Sequence, residues 1–252
     1  MATLDKIGFL IGGVQKGGTT ALFAYLQAHP SLEMAPCKEV HFFDDENNVD
    51  WHQPDYERYH AAFGPPSSKT RGEATPIYLY WPNCLERIRA YNPYMRLVFL
   101  FRDPISRAYS HWKMETTRGF EDKPFAWAIR DGRARVTDPQ ALGHHRVYSF
   151  VERGFYAAQL KRVYEIFPRE NVLLLDSNDL HNNPEETLAR VCTHVGVEPF
   201  EVREPLRANV GPGSDIIPDL TPEDRTHLRA IYWEDMAAFT TLSGITFEDF
   251  AQ

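Results

Sequence analysis

The chain has 252 residues, 43% of them hydrophobic and 25% charged, which is enough for one large soluble domain with a sizeable core. A formal net charge of −8 disfavours nucleic acid and anionic membrane surfaces as partners, so any phosphate-binding site must be local. The three cysteines, Cys37, Cys84 and Cys192, suit neither a disulfide framework nor a C-x-x-C metal site, and no apolar run reaches the ~18 residues of a membrane span, so we expect a cytoplasmic protein.

The first predicted strand, Ile7–Gly13, is an apolar run that ends in glycines and leads into the glycine-rich turn Val14–Thr20. A helix is predicted after the turn, with Leu22, Tyr25 and Leu26 on one face. Glycines allow backbone N–H groups to approach phosphate oxygens, and a helix N-terminus adds partial positive charge. This segment therefore predicts an anion site.

The turn differs from the triphosphate-binding loop G-x-x-x-x-G-K-[ST] at one decisive position. Aligned on Gly12, that motif places its second glycine at Gly17 and its final hydroxyl at Thr19, so its lysine position is Gly18. The basic residue is instead Lys16, inside the turn. This arrangement favours a single 5′-phosphate that carries one transferable group over a triphosphate chain.

The second predicted strand, Arg96–Phe101, is continuously apolar after its first residue, as buried parallel strands are. Asp103 and Pro104 form a typical helix start, with the aspartate as N-cap and the proline as first helical residue. Arg102 then lies at the carboxyl end of a strand, where open α/β sheets bind ligands, and Ser110 lies two turns into the helix. An arginine and a hydroxyl so placed predict a second phosphate site.

The remaining pattern continues the alternation of strands and helices. A third buried strand is predicted at Asn171–Asp176, followed by a helix from Asn183–Glu186 with Leu188, Val191, Cys192 and Val195 buried. A last helix is predicted from Thr221–Asp224, with inward-facing Leu228, Ile231, Tyr232 and Phe239. We predict a single domain over residues 1–252, a three-layer α/β/α sandwich with a central parallel sheet and a P-loop-like strand–loop–helix.

These motifs resemble those of sulfotransferases that use 3′-phosphoadenosine 5′-phosphosulfate (PAPS). Gly13–Leu22 is similar to their 5′-phosphosulfate loop, and Leu97–Ser110 to their 3′-phosphate motif. Three further segments resemble the heparan sulfate 3-O- and N-sulfotransferase branch: Lys38–Asp44, Glu73–Tyr78 and Phe167–Leu174. We expect a bacterial cytosolic member of this family, with the sulfotransferase fold.

The resemblance implies roles for individual residues. The 5′-phosphosulfate would be bound by the turn residues Lys16, Gly17, Gly18, Thr19 and Thr20, with Lys16 also stabilising the transferring group. Arg102 and Ser110 would bind the 3′-phosphate. Glu39 matches the family's general base and His41 a histidine that supports it.

The chemistry of sulfuryl transfer fits these residues without a metal, because in-line positioning, one cation and one base are its main requirements. Two departures from the glycan-sulfating branch bear on the acceptor. Ala74 stands where the 3-O-sulfating members have a lysine, and Arg207–Gly213 occupies the place of their nucleotide loop without its lysine/glycine/arginine pattern. We expect a small-molecule, lipid or glycan acceptor with a hydroxyl or amine, with no role for nucleic acid.

Two alternatives remain open at this point. A P-loop nucleotide kinase would need a substitute for the missing lysine and an acidic magnesium ligand, for which Asp103 is placed. A nucleotide-binding module without catalysis would bind the nucleotide and not turn it over. A zinc site of His41, Asp44 and His52 matches no usual ligand spacing.

Overall fold

The computed structural model describes residues 6–65, 67–201 and 220–251. Their strands are β1 Phe9–Gly13, β2 Leu32–Met34, β3 Thr70–Ala74, β4 Arg96–Phe101 and β5 Val172–Asp176. Their α-helices are α1 Thr19–Gln27, α2 Tyr56–His60, α3 Cys84–Tyr91, α4 Pro104–Thr117, α5 Phe125–Ala128, α6 Ala134–Thr137, α7 Tyr156–Ile166, α8 Ser177–Asn182, α9 Pro184–Val195 and α10 Pro222–Ser243.

The chain forms two compact units, which are described separately. The first comprises Met1–Phe101 and Val163–Ala208, and the second Arg102–Arg162 and Asn209–Gln252. The first unit contains the sheet, in the order β2-β3-β1-β4-β5 with every neighbouring pair parallel. All five carboxyl ends therefore lie at one edge of the sheet, the edge at which such folds bind ligands.

The sheet is buried on both faces. On one face, Phe9, Ile11 and Ala74 pack in a hydrophobic cluster with residues of α1 and α9, among them Leu22 and Leu188. Successive side chains of a strand point to opposite faces, so Leu10 and Glu73 point to the other face. That face is covered by an aromatic cluster: Phe42, Phe43, Tyr59, Tyr78 and Tyr91. The predicted α/β sandwich is confirmed.

Buried polar side chains of α4 and α10 make hydrogen bonds within the second unit. The fully buried Arg107 of α4 donates a hydrogen bond to the carbonyl of Phe150. Tyr232 of α10 donates from its hydroxyl to the carbonyl of Val151 at 2.8 Å. The start of α10 is capped by Thr221, whose hydroxyl accepts from the N–H of Asp224 at 3.1 Å, as the sequence predicts.

Most of the predicted elements are present. The strand at 96–101 is confirmed with its bounds, and the others begin one or two residues later than predicted. The predicted stripe of α9 is buried, whereas Ile231 of α10 is only half-buried and Asn183 makes no side-chain cap. Strands β2 and β3 were not predicted. No helix in the described ranges is both long and apolar enough to cross a bilayer.

Candidate active site

The glycine-rich turn follows β1 and is tied to the neighbouring strand β4. The N–H of Val14 donates to the carbonyl of Leu100 at 3.0 Å, and the N–H of Gly17 donates to the carbonyl of Val14 at 2.9 Å. A Cβ atom at Gly17 would lie 2.3 Å from the Leu100 carbonyl oxygen, so only glycine permits this approach. The close contact of the turn with β4 fixes the path of the backbone at Lys16.

Helix α1 begins at Thr19 with Gly18 as its N-cap, at a φ of 94°. Gly18 has no side chain to satisfy the first N–H groups of the helix, which leaves them available to an anion. Thr19 is buried and Thr20 exposed. A lysine at position 18, as in a triphosphate-binding loop, would be strained at this positive φ.

A second loop, residues 38–44, reaches the same edge of the sheet. The N–H of Glu39 donates to the carbonyl of Ala74, the last residue of β3, at 2.9 Å. The turn with Lys16 follows β1, and the 38–44 loop is hydrogen-bonded to the carboxyl end of β3, which is adjacent and parallel to β1. The structure thus places the predicted Lys16, Glu39 and His41 at one edge of the first unit.

The 38–44 loop contains a chain of charged contacts. Glu39 is paired with Lys38 on one oxygen, and its other oxygen lies 3.5 Å from Nε2 of His41. The Nδ1 atom of His41 lies 2.9 Å from a carboxylate oxygen of Asp44, which is fully buried. His41 therefore bridges two carboxylates, one half-exposed and one buried.

These contacts set the charges of the loop. The hydrogen bond to Asp44, followed by that to Glu39, raises the pKa of His41 to about 9 against the opposing effect of burial. Burial favours a higher pKa for Glu39, but the hydrogen bond from His41 and the charge of Lys38 together lower it to about 2. At neutral pH, Glu39 is ionised and His41 protonated.

Backbone conformation also marks these residues. Positive φ angles occur at four described non-glycine residues: Lys16 (68°), Glu39 (66°), His41 (55°) and Asn83 (62°). Three of the four are the residues for which the sequence predicts catalytic roles. Such conformations are unfavourable for side chains with a Cβ and concentrate at functional sites.

Arg102 and Ser110 lie in the second unit. Asp103 caps α4, because its carboxylate accepts from the N–H of Ser106 at 2.7 Å. Arg102 is half-buried, and burial lowers the pKa of its guanidinium against the opposing charge of Asp103. Ser110 is half-buried on α4, eight residues after the arginine. The predicted strand end, cap and helix around this pair are confirmed, and its phosphate-binding role remains a prediction.

Sequence reasoning missed two residues of the 38–44 loop, Lys38 and Asp44. The sequence did contain a signal for Asp44, because it lies three residues after His41 and side chains that close along the chain can meet. The segment is a loop, so this contact could not be inferred from helical spacing. His41 and Asp44 do meet, but the described residues contain no group of three His, Cys, Asp or Glu side chains placed to bind a metal ion. The predicted nucleotide segment Arg207–Gly213 lies outside the described residues.

Comparison with known proteins identifies the family. The sulfotransferase domain family matches residues 6–210. Human heparan sulfate glucosamine 3-O-sulfotransferase 5 is 29% identical over 194 residues, which cover 75% of this chain and 53% of that protein. The human bifunctional heparan sulfate N-deacetylase/N-sulfotransferase 3 is 29% identical over 211 residues, 78% of this chain and 23% of that protein.

A solved structure, a sulfotransferase from Alicyclobacillus acidocaldarius, has the same fold: its TM-score is 0.82 at 23% identity, over 98% of this chain and 99% of that one. The chain spans about half the length, or less, of the curated relatives described above. The family match itself covers most of the chain, in agreement with the resemblance of the motifs. The chain belongs to the sulfotransferase domain family.

Proposed function

We propose that this chain, as a single sulfotransferase domain, transfers a sulfuryl group from PAPS to a hydroxyl or amine of a small-molecule, lipid or glycan acceptor. The observation that carries the proposal is that the Lys16 turn follows β1, while the loop with the Glu39–His41–Asp44 contacts is hydrogen-bonded to the carboxyl end of the adjacent parallel strand β3. A cytoplasmic location belongs to the same proposal, because free thiols at all three cysteines suit a reducing compartment.

In the proposed reaction, the acceptor oxygen or nitrogen forms a bond to sulfur while the bond from sulfur to the 5′-phosphate oxygen breaks. The acceptor proton passes to the carboxylate of Glu39, and 3′-phosphoadenosine 5′-phosphate (PAP) leaves. His41, held by Asp44, orients the Glu39 carboxylate. Its positive charge and that of Lys38 lower the basicity of Glu39 in the resting protein, so acceptor entry is expected to loosen one of these contacts.

The donor would be bound by two groups of residues. Lys16, the N–H groups at the start of α1 and the hydroxyls of Thr19 and Thr20 would bind the 5′-phosphosulfate. The charge of Lys16 would grow in importance as negative charge develops on the departing phosphate. Arg102 and Ser110 would bind the 3′-phosphate, for which a half-buried guanidinium is well suited because its charge is poorly screened.

For the acceptor, the structure bears on one position. Ala74 corresponds to a lysine of the glycan 3-O-sulfating enzymes and is fully buried in the hydrophobic cluster beneath α1 and α9. That position provides no positive charge beside Glu39. This favours an acceptor without an anionic group next to the reacting hydroxyl, although the curated relatives named above act on heparan sulfate.

The test is a comparison of PAP with AMP by isothermal titration calorimetry. Because a charge-assisted phosphate contact contributes roughly 1.5–3 kcal/mol, PAP should bind at least about tenfold more tightly than AMP. Ser110→Ala should reduce this preference, whereas Thr117→Ala, at the exposed end of the same helix, should not. Equal affinity for the two nucleotides would overturn the assignment of PAPS as donor. Heat stabilisation by ATP with magnesium, with none by PAP, would favour the kinase alternative.

A further inference from the structure

A fully buried carboxylate, Glu73, lies beneath the 38–44 loop and has no role in the chemistry described so far. Its Oε1 atom accepts hydrogen bonds from the hydroxyls of Tyr59 at 3.0 Å and Tyr78 at 3.1 Å. Its Oε2 atom accepts from the hydroxyl of Thr75 at 2.5 Å. All four side chains are buried, so each of these hydrogen bonds is protected from water.

Two of the three hydroxyls also contact the 38–44 loop, in the opposite sense. The Tyr78 hydroxyl accepts from the N–H of Phe42 at 3.1 Å and of Phe43 at 3.4 Å. The Thr75 hydroxyl accepts from the N–H of His41 at 3.5 Å. A hydroxyl has a single proton, so one that donates to Glu73 presents its lone pairs to these N–H groups.

We propose that Glu73 is a positioning residue, which holds the 38–44 loop through the hydroxyls of Thr75 and Tyr78. The N–H groups of three consecutive loop residues, 41–43, donate to hydroxyls that Glu73 orients. A fourth, the N–H of Glu39, donates to the carbonyl of Ala74. Together these bonds offset the cost of the positive φ angles at Glu39 and His41.

The position requires an acceptor with two oxygens. A glutamine at 73 would keep the shape of the side chain but replace one carboxylate oxygen by an NH₂ donor. The hydroxyl beside that NH₂ group would have to accept from it, and its lone pair would no longer be available to an N–H of the loop. Burial raises the pKa of Glu73, while the three hydroxyl hydrogen bonds counteract that rise by stabilising the carboxylate. The cost of a buried carboxylate is consistent with a positioning role that an apolar residue could not fill.

The chain provides a matched control for this inference. Tyr59 donates to the same carboxylate oxygen as Tyr78 and is equally buried, but its hydroxyl has no hydrogen bond to the 38–44 loop among the described contacts. Tyr59→Phe and Tyr78→Phe therefore remove the same group from the same carboxylate. Only Tyr78→Phe removes a hydroxyl that accepts hydrogen bonds from N–H groups of the loop.

The first readout is the NMR titration of His41 in the full chain, with its resonance assigned by its loss in His41→Gln. Glu73→Gln and Tyr78→Phe should lower the pKa of His41 from about 9 by about one unit or more, because a displaced loop separates its ring from Asp44. Tyr59→Phe should leave it unchanged. Tyr78→Phe removes no charge, so its effect reports the position of the loop, and Thr75→Val provides a second variant if Glu73→Gln does not fold.

The second readout is turnover, which rests on the function proposed above. Glu73→Gln and Tyr78→Phe should lower kcat by about tenfold to a hundredfold with the Kd for PAP unchanged, while Tyr59→Phe keeps a near-normal kcat. The inference is overturned if Glu73→Gln, Tyr78→Phe and Tyr59→Phe all give the same pKa for His41. It is also overturned if Glu73→Gln or Tyr78→Phe shifts that pKa but retains the wild-type kcat. Should no acceptor give turnover, the proposed function fails while the titration still decides the role of Glu73.

Discussion

At the scale of single residues, the charge state of Glu39 decides how the proposed reaction can be tested. Its pKa of about 2 keeps it ionised at every practical pH, so its role will not appear as an acidic limb of the pH profile near neutrality. Substitution is the better test. Glutamine keeps the shape of the side chain and removes its ability to take a proton.

We therefore expect Glu39→Gln to lower kcat by about 10²–10⁴-fold, the usual contribution of a positioned base, with the Kd for PAP nearly unchanged. Lys16→Ala should differ, with losses in both PAP affinity and kcat, because its charge would act on the bound and the transferring group. The measurements are calorimetry with PAP and initial rates with labelled PAPS. A near-normal kcat for Glu39→Gln between pH 6 and 9 would assign the proton to another group, with His41 as the first candidate.

His41 gives a prediction about stability and pH. Its pKa is raised from 6.5 to about 9 by its two carboxylate partners, so folding favours the protonated ring. The stabilisation is complete below pH 6.5 and is lost as the pH rises through 9. The difference in Tm between the wild-type chain and His41→Gln should be largest below pH 6.5 and should narrow towards pH 9 and above. A difference that stays constant over this range would contradict the assigned ion pairs.

At the scale of elements, the glycine-rich turn is held by one close contact, which gives a matched pair of substitutions. Gly17→Ala would bring a Cβ within 2.3 Å of a backbone oxygen of β4, whereas Gly8→Ala would meet its nearest atom at an ordinary 3.5 Å. We expect Gly17→Ala to lower both Tm and PAP affinity, and Gly8→Ala to change neither appreciably. Circular dichroism melts and calorimetry check this. Normal PAP affinity in folded Gly17→Ala would show that the turn does not bind the nucleotide.

The elements also show what the sequence could predict. Strands β1, β4 and β5 are apolar runs, so their pattern was sufficient, and α4, α9 and α10 are marked by proline at their starts. Strand β3 is Thr-Arg-Gly-Glu-Ala and was missed because its polar residues are buried for reasons that the sequence does not reveal. Arg71 is paired with Glu33, and Glu73 accepts three hydroxyls from residues up to 14 positions away.

The candidate site was predictable to a similar degree. The motifs identified Lys16, Glu39 and His41, and the structure places all three at one sheet edge. The contacts of Thr75 and Tyr78 with the 38–44 loop depend on how β3 lies beside β1 and on the path of the loop. Such contacts between distant parts of the chain follow from the fold and not from local patterns.

At the scale of the whole molecule, charge is unevenly distributed along the chain. Residues 102–162 contain twelve Lys or Arg against seven Asp or Glu, a net charge of +5, while the rest of the chain has fifteen against 28, a net charge of −13. At least five of those twelve cations are paired with carboxylates: Arg118, Lys123, Arg130, Arg133 and Arg135. A basic segment is present, but much of its charge is neutralised locally.

This distribution gives the last prediction, which concerns long polyanionic acceptors. A heparan-like chain extends over many Debye lengths of about 8 Å, so it would experience the acidic remainder of the molecule as well as residues 102–162. We expect the protein to leave a heparin column at or below about 0.15 M salt, near physiological ionic strength. In a competition assay, labelled sulfate should enter neutral small-molecule acceptors in preference to heparan sulfate. Retention to much higher salt, lost on reversing the charges of Lys113 and Lys161 but not that of Arg118, which is paired with Glu115, would show instead that residues 102–162 bind a polyanion. That result would bring the acceptor closer to that of the curated relatives.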